Sequence, residues 1–196
     1  FVAGGELGEL YAVRGSWLTR QVPLLRATWR QSKAASGGGA MMDLGVPALD
    51  LCLWIVGFPN IRSVSCVVHK GEYEVEDAAT LMFESENGIV FSMEVSNRLF
   101  AGEDRYYTRV MGTEGSGSFP PLEIHKQLGG CPLEVTPRQP RPRVGENPYT
   151  NAYRRLLDQF VRGVAGRHEI ELPEEQVALM RLIEAAYESA ETGRAV

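Results

Sequence analysis

The stretch SGGGAMMDLGVPALDLCLWIVG, residues 36–57, decides how this chain is read. Its three consecutive glycines give a backbone that reaches positive φ and lets another group come close. The apolar run that follows is broken by two carboxylates, Asp43 and Asp50. On a helix, Asp43, Pro47, Asp50 and Trp54 fall within one narrow stripe, at about 100° per residue. Leu44, Ala48, Leu51 and Ile55 form a neighbouring apolar stripe. One face therefore packs into a core, and another presents two acids in line beneath the glycines. Burying a carboxylate is costly unless it is paired or does chemistry. The bland alternative leaves both acids partly solvated, with Asp43 favoured at a helix N-terminus by the macrodipole.

Gly37-Gly38-Gly39, Asp43-Leu44-Gly45, Asp50 and Trp54 together resemble the GGG…D-x-G-x-H-x-x-D-x-x-x-W signature of the Gfo/Idh/MocA family. Trp29-Arg30 resembles that family's W-R, and GELGELYAVRG (5–15) its turn and first strand. IEAAYESAETGRAV (183–196) resembles its closing helix, so the likeness runs from end to end. The family consists of NAD(P)-dependent oxidoreductases acting mostly on sugars and polyols, and the signature lies in its C-terminal domain. The resemblance thus implies that residues 1–196 are a single C-terminal α+β domain. The N-terminal Rossmann nucleotide-binding domain would lie outside this chain, carrying NAD or NADP. It also implies a homo-oligomer built through the open sheet face.

One position departs from the signature. Where the family has a histidine four residues after the Asp, its implied acid/base, this chain has Pro47. Proline has no titratable group and cannot transfer that proton. It also lacks an N–H and suits a first helical turn, so the helix is expected to start around residues 43–46. By resemblance, Asp43 is the candidate catalytic residue, orienting substrate or tuning an acid/base partner; its other reading is a helix cap. Arg30 and Asp50 are the candidate substrate-binding residues. Arg30 would bind a substrate oxygen or form a salt bridge at the rim, and Asp50 would pair with Arg30 or a backbone donor. Trp54 is read as packing. His69, His125 and His168 are read as surface or half-buried histidines. A lysine from the nucleotide domain is the implied substitute for proton transfer.

Composition is that of an ordinary globular protein, 44% hydrophobic and 23% charged, and 196 residues suffice for a sizeable core. The net charge of -5 argues against nucleic acid or an anionic membrane as main partner. No apolar run reads as long enough to span a bilayer. Cys52, Cys66 and Cys131 are odd in number and scattered, which points to free thiols in a reducing, cytoplasmic setting and to no zinc site.

Along the chain, FVAGGE (1–6) reads as the tail of a helix closing on glycine, which suggests a fragment. AGGELGEL (3–10) lacks both the G-x-G-x-x-G spacing and a preceding strand, so it is a turn and not a nucleotide loop. Residues 9–18, 61–70, 78–86, 89–96, 105–112, 121–127 and 131–136 read as strands, with Asn87-Gly88 a hairpin turn. Residues 19–35 read as irregular chain over the site end, and GTEGSGS (112–118) as a turn. TPRQPRPRVGENP (136–148) reads as a solvated crossover loop. Asn147-Pro148 caps a helix running to about Gly166, and a second helix starts at Pro173 and stops at Gly193. Their apolar stripes read as core. Grouped strands followed by helices give the expected class: α+β, an open, mostly antiparallel sheet with helices layered on one face. The activity implied is an oxidoreductase on a sugar-like alcohol or ketone. The rival is a non-catalytic sugar-binding or scaffold relative that lost its proton-transfer residue at Pro47.

Overall fold

The structure is a computed structural model and describes residues 1–21, 28–138, 145, 147–167, 169 and 173–196. The chain divides into two compact units, Phe1–Thr136 with Glu175–Val196, and Pro137–Glu174. The strands are β1 (Leu10–Arg20), β2 (Ile61–His69), β3 (Ala78–Ser85), β4 (Val90–Leu99), β5 (Arg105–Gly112), β6 (Gly115–Phe119), β7 (Glu123–Leu128) and β8 (Cys131–Glu134). The helices are α1 (Lys33–Ser36), α2 (Val46–Ile55), α3 (Pro148–Val164) and α4 (Glu174–Thr192).

The larger unit is one eight-stranded sheet in the order β2-β3-β4-β1-β5-β6-β7-β8. Only the β1–β4 pair is parallel, so the sheet is open and mostly antiparallel as expected. Strand alternation sorts its faces. Val13, Leu81, Phe83, Phe91, Met93, Val95 and Val110 point into the core beneath Leu49, Cys52 and Leu53 of α2 and Leu179, Leu182 and Ile183 of α4. Phe83 and Phe91 stack across β3 and β4 with ring centroids 4.5 Å apart. Gly15 of β1 lets α2 sit close, because a Cβ there would lie 2.9 Å from Cys52 Sγ. The chain end joins the sheet at β2 through paired Val64–Val196 backbone hydrogen bonds of 2.8 and 3.0 Å.

Several local expectations hold. Gly88 takes φ 84° in the hairpin between β3 and β4. Gly5 N–H bonds Val2 O at 2.9 Å and Glu6 N–H bonds Phe1 O at 3.0 Å, with Gly5 at φ 69°; this is the Schellman geometry of a helix stop. Asn147 and Thr150 cap α3 reciprocally, with Pro148 in the first turn.

Others are corrected. Residues 112–118 are not all turn, since Gly115–Phe119 form β6 between β5 and β7. Glycines serve there because a Cβ at Gly115 would lie 2.6 Å from the His125 carbonyl oxygen. The α-helix α2 starts at Val46 with Pro47 in its first turn, as expected, but the helical chain reaches back through a π turn, Met41–Gly45, to Ala40. The wide turn, with Val46 N–H bonded to Met41 O, accommodates Pro47, which would crowd the carbonyl four residues back in a regular helix. By length and composition the helical stretch Lys33–Ile55 is apolar enough to cross a membrane, with mean hydropathy 1.3, contrary to the sequence reading. In this fold its side chains are spent on the core, and Gly37, at φ 78°, ends α1 before Ala40 restarts the helix.

In the smaller unit, α3 carries Tyr149, Tyr153, Leu156, Leu157, Phe160, Val161 and Val164 along one stripe. Among the described residues of that unit the stripe is uncovered and not core, because a single helix has no second layer to bury it against. Residues 22–27, most of the crossover loop and His168 lie outside the described residues.

Candidate substrate cleft

A cleft of about 490 Å³ opens in the larger unit where the glycines meet the end of β1. Its floor is Gly38, Gly39 and Met42, and Asp43 stands at its side. Trp29 and Arg30 form one wall; Glu72, Tyr73, Asn97 and Arg98 form the other. A 3-10 turn, Trp29–Gln31, positions the first wall: Thr28 Oγ1 accepts from Arg30 N–H, and Gln31 Oε1 accepts from Thr28 N–H at 2.6 Å.

Arg30 Nη1 donates to Asp43 Oδ2 at 3.2 Å, and its guanidinium lies 5.4 Å over the Trp29 ring. Both partners of this ion pair are more than half exposed, so it adds little to stability. Its value is geometric, since it leaves donors and acceptors facing the cleft. Arg98 Nη1 bonds Asp77 Oδ2 at 2.9 Å, and Arg20 binds Asp104 and the Gly102 carbonyl. The cleft's cations are thus each matched by an acid, and with two aromatic rings they suit a neutral polyhydroxylated molecule.

The structure separates the sequence candidates. Asp43 and Arg30 come together in the cleft, whereas Asp50 does not line it. Asp50 Oδ1 accepts from Gln176 Nε2 at 2.9 Å, so this acid ties α2 to α4, partnered by neither Arg30 nor a backbone donor. Trp54 is 68% exposed, contrary to its reading as packing. Pro47 is exposed on the same stripe. His69 and His125 are exposed on the sheet. Among the described residues no group of three His, Cys, Asp or Glu side chains could hold a metal ion.

Sequence reasoning missed Glu76, Asp77 and Arg98. Glu76 and Asp77 are buried although charged, and Glu76 holds the glycine floor in place. The signal available was two acids closing the polar stretch before a strand; nothing local told them from solvated loop charges. Tyr187 of α4 also reaches Glu76, at 2.9 Å. Burial and then the Glu76 carboxylate push its phenol well above the usual tyrosine range. Burial pushes the Cys52 thiol up to about 12 against a lowering hydrogen bond from Thr108, and burial with Glu76 nearby pushes Cys66 up to about 11, so both stay protonated near neutral pH.

Gly5 closes a helix stop and Gly8 a following turn, and the N–H groups at the helix start, Gly39 and Met41, are taken by the Glu76 carboxylate.

Comparison with known proteins agrees with this geometry. The family model for the GFO/IDH/MocA C-terminal domain matches residues 1–118. The chain is 27% identical to D-glucoside 3-dehydrogenase of Escherichia coli (strain K12), over all of the chain and 58% of that protein. It is 31% identical to D-xylose 1-dehydrogenase (NADP(+)) 2 of Haloferax volcanii, over 81% of the chain and 48% of that protein. The chain spans about half the length of the curated relatives it matches. Levoglucosan dehydrogenase, solved in complex with NADH and L-sorbose, superposes with a TM-score of 0.83 at 21% identity, over all of this chain and 60% of that one. With the sheet, the glycine-floored cleft and the sequence match in agreement, the chain belongs to the Gfo/Idh/MocA family through its C-terminal domain.

Proposed function

We propose that this chain is the substrate-binding and oligomerisation domain of a nicotinamide-dependent oxidoreductase acting on a secondary alcohol or ketone of a sugar-like molecule. The observation that carries the reading is the Asp43–Arg30 pair standing in a charge-balanced cleft beside Trp29 and Tyr73. Its relatives named as sugar dehydrogenases support it. Asp43 accepts hydrogen bonds from substrate hydroxyls, Arg30 donates to a neighbouring oxygen, and the ring faces cover the apolar C–H side of the sugar. NAD or NADP supplies hydride transfer when bound, from a nucleotide-binding domain beyond this chain. Pro47 cannot move the hydroxyl proton, and a lysine of that domain takes the task. No metal takes part.

The open sheet face is the proposed contact between copies. Val67 and Met82 are exposed there, and Arg14 of β1 lies directly opposite Arg109 of β5. Like charges side by side cost free energy, and covering that face with a second copy carrying acidic groups offsets that cost. The reading also takes neither nucleic acid nor a membrane as partner, and the free thiols Cys52, Cys66 and Cys131 support a cytoplasmic setting for it.

The rival, a non-catalytic sugar-binding relative, is favoured by Pro47 itself. A full-length protein and its Pro47→His variant, screened with NAD+ or NADP+ against a polyol panel, separate the two. Turnover by the unsubstituted protein supports the enzyme. Silence of both, with nucleotide and sugar still bound, supports the rival.

A further inference from the structure

Glu76 lies in the loop between β2 and β3 and is 2% exposed. Its Oε1 accepts three hydrogen bonds, from Gly39 N–H at 2.9 Å, Met41 N–H at 3.0 Å and Tyr187 O–H at 2.9 Å. Its own carbonyl accepts from Ala40 N–H at 2.9 Å. The first N–H groups of a helix have no partner within it, and a neighbouring Ser, Asp or Asn side chain commonly takes one. Here one distant residue takes those of Gly39, Ala40 and Met41. Asp43 N–H then bonds Gly39 O at 3.0 Å, so the segment bearing the cleft acid hangs directly from this clamp.

Two glycines of the floor are shaped by the same pair. A Cβ on Gly39 would run into the Glu76 carbonyl oxygen, and a Cβ on Gly38 into the Tyr187 hydroxyl. Tyr187 stays protonated across neutral pH, being buried beside a carboxylate, so it remains a donor.

We propose that Glu76 and Tyr187 are positioning residues for the cleft, holding Gly38, Gly39 and the π turn so that Asp43 meets Arg30 in ligand-binding geometry. This rests on the sugar-site reading above. Glycine-rich chain has much conformational freedom, and ordering it only when ligand arrives weakens binding. Tyr187 anchors the Glu76 carboxylate from the helix layer, so the floor is ordered beforehand. Neither residue touches the ligand.

The test uses the full-length protein with Tyr187→Phe and Glu76→Gln; the latter keeps an acceptor oxygen for the same donors. Levoglucosan and D-xylose are the probes, titrated calorimetrically. The Trp29 indole N–H resonance reports the Asp43–Arg30–Trp29 arrangement, and amide exchange reports Gly39 and Met41. Tyr187→Phe is expected to weaken sugar binding about threefold to tenfold, speed exchange at both amides about tenfold and move the indole resonance. Its melting temperature should fall by only a few degrees, roughly the loss of one hydrogen bond. Glu76→Gln is expected to stay within about threefold of the unsubstituted affinity. Tyr187→Phe with unchanged affinity and an unmoved indole resonance overturns the proposal, even if exchange quickens, because the pair would then be structural only. If neither sugar binds the unsubstituted full-length protein, the sugar reading fails separately. The indole resonance then decides alone: moved supports positioning, unmoved overturns it.

Discussion

The two ends of the helix over residues 40–55 are secured by different means. At the N-terminal end, Gly39, Ala40 and Met41 are all held by Glu76, and Tyr187 steadies that carboxylate from α4. At the C-terminal end the bonds are local: Val56 N–H and Phe58 N–H reach Leu53 O, and Gly57 N–H reaches Trp54 O. Asp43 lies at the first end, in the cleft with Arg30, and Trp54 projects from the second. The end that bears the cleft acid depends on contacts remote in sequence, while the other end needs only its neighbours. A shared helical stripe therefore did not give Asp43 and Asp50 a shared role.

The contrast is broken most strongly at the floor. Gly39→Ala drives a Cβ into backbone that has no room to yield, and is expected to destabilise the larger unit by about 3 kcal/mol, read from urea midpoints. Gly38→Ala meets the ends of Tyr187 and Met42, so it should cost less; Tyr187→Phe in the same chain should recover part of the loss, a non-additivity a double-mutant cycle measures.

At the other end, Gly57→Ala should cost about 1 kcal/mol, because its φ of 80° strains any residue with a Cβ while space around it is open. Trp54→Ala should stay within about 0.5 kcal/mol by the same measurement, since the ring is exposed. Equal losses at Gly39 and Gly57 would erase the distinction between the ends.

The thiols sharpen it further, at smaller effect near neutrality. Cys52 and Cys66 have folded values raised to about 12 and about 11 from 9.0. Below pH 9 folded and unfolded chains both keep these protons. As pH rises above 9 the unfolded chain releases them first, so stability should fall progressively toward pH 11 to 12. At pH 8 iodoacetamide should modify exposed Cys131 first, with the buried pair following only on unfolding, as read by mass spectrometry.

Much of the architecture was legible because its signals are local. Alternation in residues 89–96, the Asn87-Gly88 turn and the Asn147-Pro148 cap each act within a few residues, and all three appear in the fold. The glycine, Asp and Trp-Arg motifs were enough to name the family that residues 1–118 match. The Gly-Ser strand β6 was illegible because its partners, not its propensity, make it a strand. The π turn was illegible because its start is capped from a loop more than thirty residues away.

The sequence by itself determined most of the strands and helices, the apolar face of the strands, and that Asp43 and Asp50 would share a helical stripe, because periodicity and turn chemistry are properties of neighbouring residues. Only the tertiary structure decided that Asp43 would find Arg30 while Asp50 found Gln176, and that Glu76 would cap the helix between them. Those outcomes depend on where the sheet and α4 bring distant polar groups, and a buried polar group takes whichever partner the packing supplies.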